Sequence, residues 1–219
     1  MLKGAIFDFD GTLFDSMFIW NTAGETYLRS IGIEPREDLR KVLKTMSLLQ
    51  SATYIREKYA VELTLEEIMD GINRTVENFY FHTVQPKEGV ITLLEQMKVK
   101  GIKMCIATAT DRYQVEAALK RCCMEHFFSE IFTCTDVGHG KDEPFIFRKA
   151  MDYLGTTREN TVVFEDACHA AKTAKADGFV TVAVYDSHEE NQKELQALSD
   201  FYFENYTETD TFWKFAYGI

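Results

Sequence analysis

The stretch Gly4-Ala5-Ile6-Phe7-Asp8-Phe9-Asp10-Gly11-Thr12-Leu13-Phe14-Asp15 decides how the chain folds. A short apolar run rich in Ile and Phe, stopped by Gly, reads as a fully buried strand. In an open α/β sheet such a strand delivers its last side chains to the crevice at the C-terminal edge, where ligands bind. Asp8 and Asp10 therefore arrive at that edge as two like charges close together. At ~4 Å and an effective dielectric of ~20, their repulsion is roughly 4 kcal/mol. A metal cation, a bound proton or a nearby lysine has to offset it.

Further along, Thr161-Val162-Val163-Phe164 is a second apolar run, and it ends in Glu165-Asp166. Ile102-Lys103-Met104-Cys105-Ile106-Ala107 is a third, ending in Thr108, and Ala109 follows. Lys141 sits between these two runs, in the loop Gly138-His139-Gly140-Lys141-Asp142-Glu143-Pro144. Helical patterns separate the strands: Val90, Leu93, Leu94 and Met97 before Gly101, then stretches near 112–121, 144–154 and 168–177. A short apolar piece, Ile131-Phe132-Thr133-Cys134, and the run 179–184 add further strands, with a helix expected near 188–198 and an edge strand at Phe201-Tyr202-Phe203. Strands alternating with helices of this length predict an α/β fold with a doubly wound parallel sheet. The aromatic tail from Phe212 to Tyr217 is expected to pack back on that core, and the charge run 186–194 to form a solvated helix face.

Residues 16–82 break the alternation. Trp20, Ala23, Tyr27 and Ile31 recur at helical spacing before Gly32; Leu39, Val42, Leu43 and Met46 mark a second helix; Ala52, Ile55 and Tyr59 mark a third. Thr64-Leu65-Glu66-Glu67 has the form of a capping box at the start of a fourth, continued by Ile68, Ile72, Val76 and Phe79. Four helices without a strand predict a separate small domain at 16–82, inserted into an α/β core made of 1–15 and 83–219. Its hinges are expected near 13–16 and 82–86.

At 219 residues and 46% hydrophobic content, with only 3 Pro, the chain can bury a sizeable core. A formal charge of -11 argues against nucleic-acid and acidic-membrane partners. No apolar stretch reaches the ~18–20 residues of a membrane span, and Met1-Leu2-Lys3 runs straight into the first strand, leaving no room for a signal peptide. Five cysteines without C-x-x-C spacing suit reduced thiols. The expectation is a cytoplasmic protein, a monomer or weak homodimer.

With D-x-D-G-T near the start, a Thr after the second core strand, then a Lys, then an acidic pair, the chain resembles the haloacid dehalogenase-like superfamily. The resemblance is to its phosphatase and β-phosphoglucomutase-like branch, and it runs from Met1 to about Phe203. It implies a Rossmann-like core with 16–82 as a helical cap that closes over the site. It also implies an Mg2+-dependent phosphatase acting on a small phosphorylated metabolite through an aspartyl-phosphate. Asp8 would be the nucleophile and Asp10 the general acid and base, a division of labour that the electrostatics also favour. The implied Mg2+ ligands are Asp8, the backbone carbonyl of Asp10, and Asp166, with Glu165 orienting a metal-bound water or binding weakly. Gly11, Thr108, Ala109 and Lys141 would receive the phosphate. The segment after Lys141 departs from the usual Lys-Pro pattern, since Asp142-Glu143-Pro144-Phe145 follows.

Three alternatives bear on this reading. A calcium loop fails because Gly11 comes two positions early and Ile19 stands where the closing glutamate belongs. A sugar-phosphate mutase of the β-phosphoglucomutase kind needs a histidine soon after the first aspartates and a cap arginine. Here Phe18-Ile19-Trp20 and Lys44-Thr45-Met46-Ser47-Leu48-Leu49 stand at those places. A non-catalytic binding protein would gain nothing from holding mutually repelling carboxylates together.

Overall fold

Ala5, Ile6 and Phe7 are buried completely, which is the reason the first run forms a central strand: both of its faces are covered. The computed structural model describes residues 1–43, 46 and 48–218. In it the chain divides into two compact units, Met1–Asp15 together with the chain from Val84 onward, and Ser16–Thr83.

The first unit is a parallel sheet flanked by helices. Its strands are β1 (Gly4–Phe7), β2 (Lys103–Thr108), β3 (Ile131–Thr133), β4 (Thr161–Glu165), β5 (Val180–Val184) and β6 (Phe201–Phe203). They lie in the order β3-β2-β1-β4-β5-β6, every neighbouring pair parallel. The chain winds outward from β1 to β3, then returns to the other side of β1 with β4. The crevice between the C-terminal ends of β1 and β4 is therefore the topological switch point, the place where open sheets bind ligands.

The second unit holds α1 (Met17–Ser30), α2 (Leu39–Leu43), α3 (Leu48–Lys58) and α4 (Leu65–His82). The capping box is formed: Thr64 Oγ1 accepts from the Glu67 N–H at 3.2 Å, and Glu67 Oε2 accepts from the Thr64 N–H at 2.8 Å. In α1 the buried face is Ile19, Ala23, Tyr27 and Leu28. Ala23 and Tyr27 lie on that face as expected, but Trp20 is exposed, Ile19 being buried in its place, and Ile31 is exposed just past the end of the helix. The second expected helix is described only as far as Leu43; Lys44, Thr45 and Ser47 lie outside the described residues.

The core helices are α5 (Val90–Val99), α6 (Arg112–Arg121), α7 (Cys134–Val137), α8 (Phe145–Leu154), α9 (Cys168–Ala176), α10 (Gln192–Leu198) and α11 (Thr209–Ala216). The aromatic tail packs on the sheet: Phe212 is wholly buried, with its ring 5.7 Å from that of Phe164 and 5.3 Å from that of Phe203. One expectation for this part of the chain is corrected. Asp186, read as part of a solvated charge run, is buried; it accepts from Lys87 Nζ at 3.0 Å and contacts His188 Nδ1 at 2.9 Å. The helix begins only at Gln192.

Gly89 caps α5 at φ +82, and a Cβ there would meet the backbone carbon and oxygen of Tyr206 at 2.6 and 2.7 Å. The left-handed conformation and the backbone clash act together, so Gly89→Ala is expected to lower stability by about 2 kcal/mol or more. Urea unfolding of the two chains measures it.

Candidate active site

Asp8 continues β1 by one residue: its N–H donates to the Phe164 carbonyl at 2.9 Å. Phe7 pairs with Phe164 and with Ile106 in register, so Asp8 stands level with Glu165 on one side and Ala107 on the other. The chain then folds into a tight turn. Leu13 and Phe14 N–H both donate to Phe9 O at 3.0 Å, and Gly11 N–H donates to Phe14 O at 2.9 Å. Gly11 sits in this turn at φ +77, a conformation that other L residues adopt only under strain.

Carboxylate oxygens of Asp8, Glu165 and Asp166 lie within 4.8 Å of one another, and all three residues are buried. Lys141 reaches between them. Its Nζ donates to Asp8 Oδ1 and, at 2.6 Å, to Glu165 Oε1. Thr12 Oγ1 donates to Asp166 Oδ1 at 2.9 Å. One buried ammonium thus pairs with two of three buried carboxylates, leaving negative charge in excess.

Titration behaviour follows from that imbalance. Burial, then the charges of Asp8 and Glu165, push the Asp166 carboxyl well above the ordinary range, against the Thr12 hydrogen bond. Burial also pushes Glu165 up, with Asp8 adding to the effect, to about 8 despite Lys141. For Lys141 burial works downward, but Asp8 and Glu165 outweigh it and the amine stays protonated above its usual pKa.

The arrangement fits a divalent cation. Three hard oxygen donors converge, negative charge is in excess, and Glu165 Oε2 is buried with no hydrogen-bond partner among the described residues. One consequence can be checked without any metal. A carboxyl with a folded pKa of about 8 holds a proton that the unfolded chain, near 4.5, releases. The folded state binds more protons between those values, so stability falls as pH rises through that window and levels off above it. Urea unfolding in EDTA is expected to give a lower stability at pH 8 than at pH 5.5, by an amount on the order of a few kcal/mol.

Asp10 stands apart from this cluster. Its Oδ2 accepts a hydrogen bond from Thr110 Oγ1, and it is only partly buried. Thr108 is wholly buried at the end of β2, and its Oγ1 accepts from the Thr110 N–H at 3.0 Å. Ala109 is exposed beside it. The structure therefore groups Asp8, Lys141, Glu165 and Asp166, and ties Asp10 to the β2 end through Thr110. Thr110 and the Thr12 hydroxyl are additions that sequence reasoning missed. For Thr110 the only available signal was its position two residues after Thr108.

Residues 5–184 match the model of the haloacid dehalogenase-like hydrolase family, and the chain belongs to that family of hydrolases. Among curated relatives, it is 26% identical over 177 residues to a phosphorylated carbohydrates phosphatase of Thermotoga maritima, covering 81% of this chain and 82% of the other. It is 28% identical over 205 residues to the protein CbbY of Cereibacter sphaeroides, covering 87% and 88%. Among solved structures, a Thermotoga maritima protein described as a candidate β-phosphoglucomutase superposes with a TM-score of 0.86 at 23% identity, over 97% of this chain and 99% of that one. CbbY from Rhodobacter sphaeroides, crystallised with phosphate, gives 0.75 at 21% identity, over 96% and 97%. A mutant of that protein in complex with xylulose-(1,5)bisphosphate gives the same figures. These likenesses establish the fold. No helix among the described residues is long and apolar enough to cross a membrane.

Proposed function

We propose that the protein is an Mg2+-dependent phosphatase that hydrolyses a small phosphorylated carbohydrate through an aspartyl-phosphate on Asp8. The observation that carries this reading is the meeting of Asp8, Glu165 and Asp166 with Lys141 at the β1–β4 switch point. The names of the relatives, a phosphatase of phosphorylated carbohydrates and a protein crystallised with a sugar bisphosphate, support the substrate class.

Asp8, Asp166 and the backbone carbonyl of Asp10 would hold the cation, with Glu165 beside them. Bound there, Mg2+ would supply positive charge to the substrate phosphate and favour the ionised form of the Asp166 carboxyl. The remaining chemistry belongs to the chain. A carboxylate oxygen of Asp8 attacks phosphorus, and a P–O bond forms as the bond to the ester oxygen breaks. Asp10, protonated, gives its proton to the departing oxygen. It then takes a proton from the water that attacks the aspartyl-phosphate, which releases inorganic phosphate and restores both carboxyls. Such acid–base help is worth on the order of 10²–10⁴ in rate. Thr110, donating to Asp10 Oδ2, orients that carboxyl. Lys141 neutralises charge that gathers on the transferring group. Thr108, Ala109 and Gly11 form the remaining wall around the phosphate, and the helical unit Ser16–Thr83 serves as the cap that selects the substrate.

A mutase remains the second reading, but the absence of the histidine and arginine it uses ranks it lower. The test is release of inorganic phosphate from a panel of sugar phosphates and an aryl phosphate, with Mg2+ and with EDTA. Metal-dependent release is expected, with a phosphorylated carbohydrate turned over faster than the aryl ester. Conversion of β-glucose-1-phosphate to glucose-6-phosphate without net release would reverse the ranking.

A further inference from the structure

Tyr206 lies beyond the part of the chain that matches the family model, in the segment between β6 and α11. Its side chain is nevertheless wholly buried, and its phenol donates to the backbone carbonyl of Thr12 at 3.0 Å, across 194 residues of sequence. The same Thr12 donates through Oγ1 to Asp166 Oδ1 at 2.9 Å. Gly89, lacking a Cβ, lets the backbone at 206–207 approach the start of α5.

We infer that Tyr206 is a positioning residue for the cation site, acting through Thr12 on Asp166; the inference rests on the metal-dependent reading above. A phenylalanine would fill nearly the same space beside Phe203, whose ring lies 4.9 Å away, so packing alone does not call for the hydroxyl. What the O–H adds is a fixed orientation for the Thr12 peptide. Three further hydrogen bonds hold the Phe9–Phe14 turn, Leu13 and Phe14 to Phe9 O and Gly11 to Phe14 O, but none of them involves the Thr12 carbonyl. With the carbonyl held, Thr12 Oγ1 commits one oxygen of Asp166 and leaves the other to a cation. Burial and the nearby Asp166 and Asp8 charges keep the phenol protonated far above its usual pKa, so it remains a donor at every working pH.

Hydrogen-bond partners of metal-ligating groups typically matter 10–100-fold in metal affinity. Thr12→Val, which removes the hydroxyl next to Asp166, is expected to weaken cation binding within that range. Tyr206→Phe, one bond further out, is expected to weaken it by about 3–10-fold. The probe is Mn2+, its free concentration followed by electron paramagnetic resonance, so no turnover is needed. Thermal melting in EDTA reports on the fold. Thr12→Ser is expected to bind as the wild type does, and the double variant Tyr206→Phe/Thr12→Val no more weakly than Thr12→Val, because both act along one route. A Tyr206→Phe chain that melts cooperatively and binds Mn2+ with wild-type affinity overturns the inference, as does full additivity in the double variant. Either result leaves the phosphatase reading standing. A wild-type chain that binds no Mn2+ removes the metal reading itself, and this inference with it.

Discussion

Asp8→Asn is expected to lower turnover of a phosphate ester by about 10⁴-fold or more while leaving the fold intact. The amide keeps the shape of the side chain but is a far weaker nucleophile, and the neighbouring carboxyls have other partners, Asp166 the Thr12 hydroxyl. Asp10 faces Thr110 instead, and Glu165 is held by Lys141. Effects of this size are usual when a covalent nucleophile is removed. The same change takes one negative charge out of a buried cluster of three, so the protein in EDTA is expected to melt no lower than the wild type. Loss of activity with retained stability is the signature of a residue whose work is chemical. Phosphate release under saturating substrate and a melt in EDTA check the two halves. Activity within tenfold of the wild type would remove Asp8 from the nucleophile's role.

Lys141→Met is expected to cost stability as well as activity. The ammonium is buried and donates to both Asp8 and Glu165. Removing one partner from a buried ionic cluster typically costs about 3–5 kcal/mol, because the charges left behind are neither solvated nor paired. Part of that cost is relieved when the carboxyls take up protons, so the loss is expected to be smaller at pH 5.5 than at pH 8. Added Mg2+ is expected to restore some of the lost stability by supplying positive charge at the same place. Urea unfolding at the two pH values, with and without Mg2+, gives the four numbers. An equal loss at both pH values would mean that Lys141 acts through packing and not through charge.

These predictions concern groups of unequal visibility in the sequence. Asp8, Asp10, Glu165 and Asp166 were legible because each pair ends an apolar run of strand length. In a parallel sheet the ends of such runs share one edge. The interrupted alternation likewise exposed the helical stretch between β1 and α5. Lys141 carried no such mark; it lies in an irregular loop, and only its place in a familiar order of motifs pointed to it. Thr12, Thr110 and Tyr206 were invisible as partners because their bonds span 154, 100 and 194 residues. Hydroxyl groups at loop positions leave no periodic trace. Asp186 shows the converse error. A run of charged residues looks solvated, yet Lys87, almost a hundred residues earlier, draws its first member into the interior. In α1 Trp20 misled, since it is close to half exposed at 47% while its smaller neighbour Ile19 faces inward with Ala23 and Tyr27.

The most direct test of the account is to trap the covalent intermediate. The protein is mixed with substrate and Mg2+, quenched within one turnover, and treated with borohydride, which reduces an aspartyl-phosphate to the alcohol but leaves a free carboxylate untouched. Peptide mass spectrometry is expected to find the reduced side chain at Asp8 and nowhere else, and only when substrate is present. Reduction at a different carboxyl, or none at all while phosphate is being released, would contradict it.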